Sequence, residues 1–274
     1  MLSKIELEKI NDLKQTAEAF DGVQLKLNED WLEMDNPGGV KVFRTLDKEM
    51  LVGFLGVYAF GSTAEVCGMV HPDFRRKGIF SGLFKEAAIY MREQPYKEIL
   101  LNSPTGSASG KGFLSGIPCT YKFSEYQMKW HPQELNPSSQ ASVRKALPEE
   151  SGLRIRLDVE AFNVPREDAE EHEKRHSTEK NQTSYSIEHE GTAVGKIRII
   201  KSETEAWIYG FATLPEYQGK GIGRSALQQI LQKEADKGRD IHLEVQADNL
   251  HTLELYKSCG FKNYHSQDYY EYQG

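Results

Sequence analysis

A strand that breaks at a proline, crosses a glycine cluster and enters a helix is written twice in this chain. The fuller copy is residues 208–230, IYGFATLPEYQGKGIGRSALQQI. An apolar and aromatic run reads as a strand ending near Thr213. After the turn, Ile222, Ala226, Leu227, Ile230 and Leu231 recur at helical spacing on one face. Gly219, Gly221 and Gly223 lie where strand becomes helix, so no side chain shields the first backbone N–H groups. Those groups have no partner within the helix, and the helix dipole adds partial positive charge. The expected guest is a phosphate or pyrophosphate.

The other copy is residues 64–90, AEVCGMVHPDFRRKGIFSGLFKEAAIY. Val70-His71-Pro72 aligns with Thr213-Leu214-Pro215, and Arg75 to Ile79 then falls on Gln218 to Ile222 without a gap. The spacing, 213 minus 70 or 143 residues, exceeds any solenoid or propeller period. Two copies of one domain are expected. The predicted domains are 1–130 and 151–274, with 131–150, HPQELNPSSQASVRKALPEE, as the linker, in which Val143 to Leu147 reads as a turn of helix.

Length and composition fit this reading. A chain of 274 residues accommodates two ordinary domains. A formal charge of −7 opposes a nucleic-acid scaffold. Cys67, Cys119 and Cys259 are odd in number and lack metal-ligand spacing, so no disulfide framework is expected. His242 and His251 have no second ligand at strand or helix spacing, and no metal is expected. No apolar run reaches membrane-spanning length, and the start MLSKIELEKIND lacks the apolar core of a secretory signal. A cytoplasmic protein is expected, as monomer or homodimer, with no nucleic-acid or membrane partner.

In chain order, 3–19 reads as a helix with a Ser3–Glu6 capping box. Residues 24–27 and 31–34 read as short strands, and 36–39 as a turn. Strands follow at 41–46, 50–60 and 64–70, a helix at 81–92, a strand at 98–102, a short helix at 107–115 and a closing strand pair or one long strand at 121–130. The second half is expected to open with a strand at 154–157. A surface helix at 165–176, a hairpin at 184–200, and the strand–turn–helix unit follow. Strand 241–246, helix 249–258 and strand 261–272 complete the half.

These residues resemble the GCN5-related N-acetyltransferase (GNAT) superfamily. The signature [QR]-x-x-G-x-[GA] stands as Gln218-Gly219-Lys220-Gly221-Ile222-Gly223. The later pattern N-x(6)-Y-x(3)-G-F stands as Asn249, Tyr256, Gly260 and Phe261. The resemblance covers both halves and implies an α/β (in some schemes α+β) fold. That fold has two tandem GNAT domains, each a mixed, mostly antiparallel twisted sheet flanked by helices. The first half departs at Phe80, where a small residue is expected, and has no tyrosine at the place of Tyr256.

The resemblance also implies transfer of an acetyl group from acetyl-CoA, as cosubstrate, to the amine of a small molecule or peptide. Backbone N–H groups of Gln218, Gly219, Lys220, Gly221, Ile222, Gly223 and Arg224 are expected at the pyrophosphate. Ala212, Thr213 and Leu214 are expected to pair with the pantetheine arm, and Asn249 to bond that arm or to cap its helix. Tyr256 is the expected proton donor to the leaving thiolate. Glu244 or Glu205 is the expected base, and the second half the catalytic one. Two other readings stand beside this one. A dinucleotide fingerprint at Gly221 is opposed by the seven residues, 214–220, between strand and glycine. A non-catalytic acyl-CoA sensor would use the same glycines.

Overall fold

A computed structural model describes residues 2–33, 39–179 and 181–274. The chain forms two compact units, Met1–Glu125 with Ser266–Gly274, and Tyr126–His265. Unit 1 contains α1 (Lys4–Asp21), α2 (Glu29–Glu33), β1 (Val40–Asp47), β2 (Met50–Phe60), β3 (Thr63–Val70), α3 (Ile79–Arg92), β4 (Glu98–Pro104) and α4 (Ala108–Leu114). β5 (Cys119–Trp130) begins in unit 1 and ends in unit 2. Unit 2 continues with β6 (Ser142–Lys145), α5 (Ser151–Phe162), α6 (Arg166–Thr178), β7 (Gln182–His189), β8 (Thr192–Lys201), β9 (Glu205–Thr213), α7 (Ile222–Ala235), β10 (Asp240–Gln246) and α8 (Leu250–Ser258). β11 (Phe261–Tyr272) then returns the chain to unit 1, where Gln267–Glu271 pair antiparallel with 100–104 of β4. No single cut of the chain separates the units.

The capping box forms: Glu6 N donates to Ser3 Oγ (3.3 Å) and Ser3 N donates to Glu6 Oε2 (2.8 Å). Such a cap is worth about 1 kcal/mol. The apolar stripe Ile10, Leu13 and Ala17 is buried against Phe54 and Tyr58 of β2. The opposite face of β2 sends Leu55 and Val57 against Leu83 and Ala87 of α3. Alternate residues of one strand thus serve two helical layers, so β2 is nearly all apolar.

Among the described pairings, each unit has a parallel strand pair that comes apart. β3 pairs with β4 from Thr63–Glu98 to Val66–Leu101, and β9 with β10 from Glu205–Asp240 to Ile208–Leu243. Beyond these pairs the strands diverge, ahead of the glycine turns. β9 carries an extra residue at this point: Lys196 faces Ala212 but Arg198 faces Tyr209, with Gly210 at φ +52. A bulge of this kind bends a strand and re-aims its backbone. β3 pairs with β2 without a shift.

Four expectations differ from the structure. Residues 154–157 are not a strand but the interior of α5, where Leu157 is fully buried at helical spacing. Residues 24–27 form no strand: Leu25 N donates to Glu18 Oε1 (2.8 Å), which turns the chain off the end of α1. Of the strand expected at 31–34, residues 31–33 are helical in α2 and Met34 lies outside the described residues, as do 36–38 of the expected turn. The expected linker 131–150 lies within unit 2, and where a turn of helix is expected at 143–147 it contributes β6, paired with β7.

Candidate functional site

In unit 1 the gap between β3 and β4 opens into a cleft of about 590 Å3. The Arg75–Ser81 turn and the start of α3 form one wall, and Asn102, Ser103 and the start of α4 another. From the α1 side, Asp21 and Lys26 reach it. Gly78, the N-cap of α3, has φ +78 and no side-chain cap. A Cβ built on Gly78 meets nothing within 4 Å. The uncapped N–H groups of α3 therefore face open space. Phe80, the departure from the signature, is accommodated: its ring packs edge-on to Phe113 (4.7 Å) and lies 2.9 Å from where a Cβ on Gly68 would stand. Gly68 makes the room that a small residue would otherwise make.

Two polar groups at this cleft are unusual. The Oγ of Ser103, on a residue 5% exposed, has no hydrogen-bond partner among the described residues. Asn102 Nδ2 donates to Glu65 Oε1 (2.7 Å), a buried carboxylate that also accepts from Asn28 Nδ2 (3.3 Å). Cys67 lines the cleft as a thiol whose pKa burial drives far up, and so is unreactive.

The matching place in unit 2 is approached by the exposed Gln140 side chain. Gly221, the N-cap of α7, has the same φ of +78, but here a Cβ would lie 2.5 Å from Gln140 Oε1. Residues 131–141 cross this helix start as a strap. His131 N donates to Gly260 O (3.0 Å), Ser225 Oγ to Ser138 O (2.6 Å), and Gln229 Nε2 to Ala141 O (2.7 Å). Ala141 and Leu135 join the apolar core of unit 2.

The signature residues lie together around this turn. Gln218 Nε2 donates to Thr213 O (3.1 Å), tying the turn to β9. Lys220 lies over the Tyr217 ring at 5.1 Å. Arg224 donates to Ser258 Oγ (2.5 Å) across to α8. Ile222 is fully buried, Gly223 faces the Phe211 ring, and Gly219 borders open space. Ala212, Thr213 and Leu214 are buried, and Leu214 N donates to Val194 O (2.8 Å). Asn249 caps α8 by accepting from Thr252 N (3.2 Å).

Of the three expected catalytic groups, Tyr256 is 6% exposed and packed against Phe211 and Phe261, and burial pushes its phenol pKa up. Glu244 Oε1 accepts from Gln127 Nε2 (2.8 Å). Glu205, at the start of β9, accepts from Trp207 Nε1 (2.9 Å). By strand position, Asn102 stands in unit 1 where Glu244 stands in unit 2, because Leu101–Val66 and Leu243–Ile208 are matching pairs. Asn102 and Ser103 were not singled out as site residues from the sequence. Their signal is position alone, just past the last parallel pair.

Among the described residues no group of three or more His, Cys, Asp or Glu is arranged to hold a metal ion, and no helix is long and apolar enough to cross a membrane. A sequence profile of the Acetyltransferase (GNAT) family matches residues 7–107 and again 153–261. N-alpha-acetyltransferase RimI of Mycobacterium tuberculosis is 40% identical over 76 residues, 26% of this chain and 47% of the relative. A [Ribosomal protein bS18]-alanine N-acetyltransferase of Escherichia coli K12 is 36% identical over 58 residues, 21% and 39% of the two chains. The chain thus spans less than half the length of these curated relatives. Among solved structures, a GCN5-related N-acetyltransferase from Sphaerobacter thermophilus matches with TM-score 0.78 at 17% identity, covering 98% of this chain and 93% of that one. A tandem GNAT protein from the clavulanic acid biosynthesis pathway matches with TM-score 0.73 at 16% identity, covering 98% and 95%. These last two likenesses are likenesses of fold.

Proposed function

Since the chain belongs to the acetyltransferase (GNAT) family, we propose that it is an acyltransferase, moving an acetyl group from acetyl-CoA to an amine, and that the cleft of unit 1 holds the acetyl-CoA. One observation carries the placement. At matched positions with the same φ, Gly78 borders open space while Gly221 borders the Gln140 amide. A phosphate needs close approach to the N–H groups of a helix start, and unit 1 offers that approach. The complete signature in unit 2 favours the other placement, but there the Gln140 side chain stands at the helix start.

In this reading the turn and the first turn of α3 hold the pyrophosphate. The backbone edges of β3 and β4 beyond Val66 and Leu101 align the pantetheine arm, as an added strand would be held. Positioning supplies much of the rate enhancement. An amine near neutral pH is protonated and must lose a proton before attack. Glu65, bonded to the cleft residue Asn102, is the carboxylate we assign to accept it through one water. The unpartnered Ser103 hydroxyl is assigned to donate a hydrogen bond to the departing sulfur. The direct-attack arrangement with Glu244 or Glu205 as base and Tyr256 as acid, with the cofactor at Gly221, would need the Gln140 side chain to swing away. The names of both curated relatives specify amine acetylation, one at alpha-amino groups and one at alanine, so peptide N-termini are the first acceptors to assay.

The test is a pair of variants. Gly78→Val should abolish acetyl-CoA binding by calorimetry and acetyl-CoA-dependent CoA release with an amine panel. Gly221→Val should leave both unchanged in a folded chain. The opposite pattern would place the acetyl-CoA in unit 2.

A further inference from the structure

Unit 2 contains a second, smaller cavity that the acyl-transfer reading does not use. It encloses about 90 Å3 beneath α5 and α6, bounded by β7, β8 and β9. Three cations line it: Arg154, Lys196 and Arg198. Two of them are matched. Arg154 Nη2 meets Glu173 Oε1 at 2.5 Å and Lys196 Nζ meets Asp158 Oδ1 at 2.5 Å. Arg198 is not: among the described residues it makes no ion pair. Its contacts are the Gln182 amide oxygen (3.0 Å) and the Tyr209 ring (5.3 Å). Glu179 and Asp158 act on it at longer range, but Glu179 is paired with Arg175 and Asp158 with Lys196.

Asp158 and Glu173, the partners of Lys196 and Arg154, also line the cavity, and other polar groups around it have hydrogen-bonding capacity to spare. Lys196 uses its ammonium on Asp158 and on Arg154 O (3.2 Å), leaving one N–H without a described partner. The Nε2 of His172 is buried with no hydrogen-bond partner. Ser184 brings a hydroxyl to the wall. His176 completes the lining, and burial holds both imidazoles below their ordinary pKa, His176 down to about 2. Arg198 is partly buried, and an uncompensated charge and unpaired polar groups in a confined space carry a cost. Water alone leaves the charge of Arg198 unmatched.

We propose that this cavity is a binding site for a small anion, a carboxylate or an inorganic oxyanion, held by Arg198, Lys196, the Ser184 hydroxyl and His172 Nε2. The volume admits a ligand of a few heavy atoms, so the guest is not acetyl-CoA. The site is therefore independent of where the acetyl-CoA binds.

The test uses the full chain with sodium acetate, inorganic phosphate and sodium chloride as separate probes at low ionic strength. Calorimetry should find one saturable site per chain for acetate or phosphate. Arg198→Gln and Ser184→Val should each weaken it at least tenfold, while acetyl-CoA affinity stays unchanged. Should Arg198→Gln not fold, Ser184→Val, which suits a strand, decides alone. Absence of a saturable site with all three probes, or equal binding in folded variants, overturns the proposal. Because acetyl-CoA affinity is read separately, failure here is distinct from failure of the acyltransferase assignment.

Discussion

Arg75 and Asp21 form a two-toothed pair: Nη1 meets Oδ1 at 2.7 Å and Nη2 meets Oδ2 at 2.8 Å. The same guanidinium donates through Nε to Val70 O (3.1 Å) and lies over the Phe20 ring at 5.3 Å. The leading arginine of the first glycine turn is thus fastened to the last turn of α1 and to the end of β3. A fork of this kind fixes geometry as well as charge. Asp21→Asn keeps the shape and removes the charge. The expected result is acetyl-CoA affinity weakened about tenfold, near the 1.4 kcal/mol scale of a charge-assisted bond, with the fold retained. Calorimetry on the variant checks it. Unchanged affinity would mean that the fork holds α1 without shaping the turn.

Tyr256→Phe is expected to leave turnover within about twofold. The ring is packed between Phe211 and Phe261, and the substitution keeps that packing. General acid catalysis is worth about 10²–10⁴-fold. A loss of that size in the amine-panel assay would return the chemistry to unit 2 and require the Gln140 side chain to move.

Glu150 supplies a pH dependence with a defined sign. Its carboxylate accepts from Arg144, Leu147 N and Ser186 Oγ, and the Arg144 bonds chiefly hold its pKa down to about 2. An unfolded glutamate titrates near about 4.3. The stabilisation is therefore complete above that value and is lost as pH falls toward about 2. Glu150→Gln lacks it at every pH. Urea midpoints of wild type and variant should differ at neutral pH and converge as pH drops through this window. A constant gap would remove Glu150 as the cause.

Cutting the chain at residue 150 should yield two poorly folded fragments. The first loses 266–274 and leaves β4 without the partner it has from Gln267 to Glu271. The second loses β6, the strap and the Trp130 indole that donates to Cys259 O (2.8 Å). Circular dichroism and hydrogen exchange on each fragment test this. Native-like protection in residues 151–274 alone would show that residues 126–150 are dispensable to unit 2.

The local code of this chain is plain in its sequence. The Ser3–Glu6 box, the apolar stripes of α1 and α7, and the Pro–Gly turns appear where their residues demand, because caps, helical spacing and positive φ are decided within a few residues. The duplication and the family were legible for the same reason, being carried by short spacings around Gly221 and Tyr256. The strand read at 154–157 failed because Arg154 to Leu157 carry a helix whose apolar side is defined only by what it packs on. What tertiary structure alone decided is access. Gly78 and Gly221 are the same residue in the same conformation in the same motif, yet one borders open space and the other an amide from 81 positions away, 221 minus 140. Residues 131–141 read as linker because Pro, Ser and Gln make few local demands. Their place over α7 comes from long-range bonds through Ser225, Gln229 and Gly260. The return of β11 to unit 1 is of the same kind, since a strand's own residues specify its faces and not its neighbour.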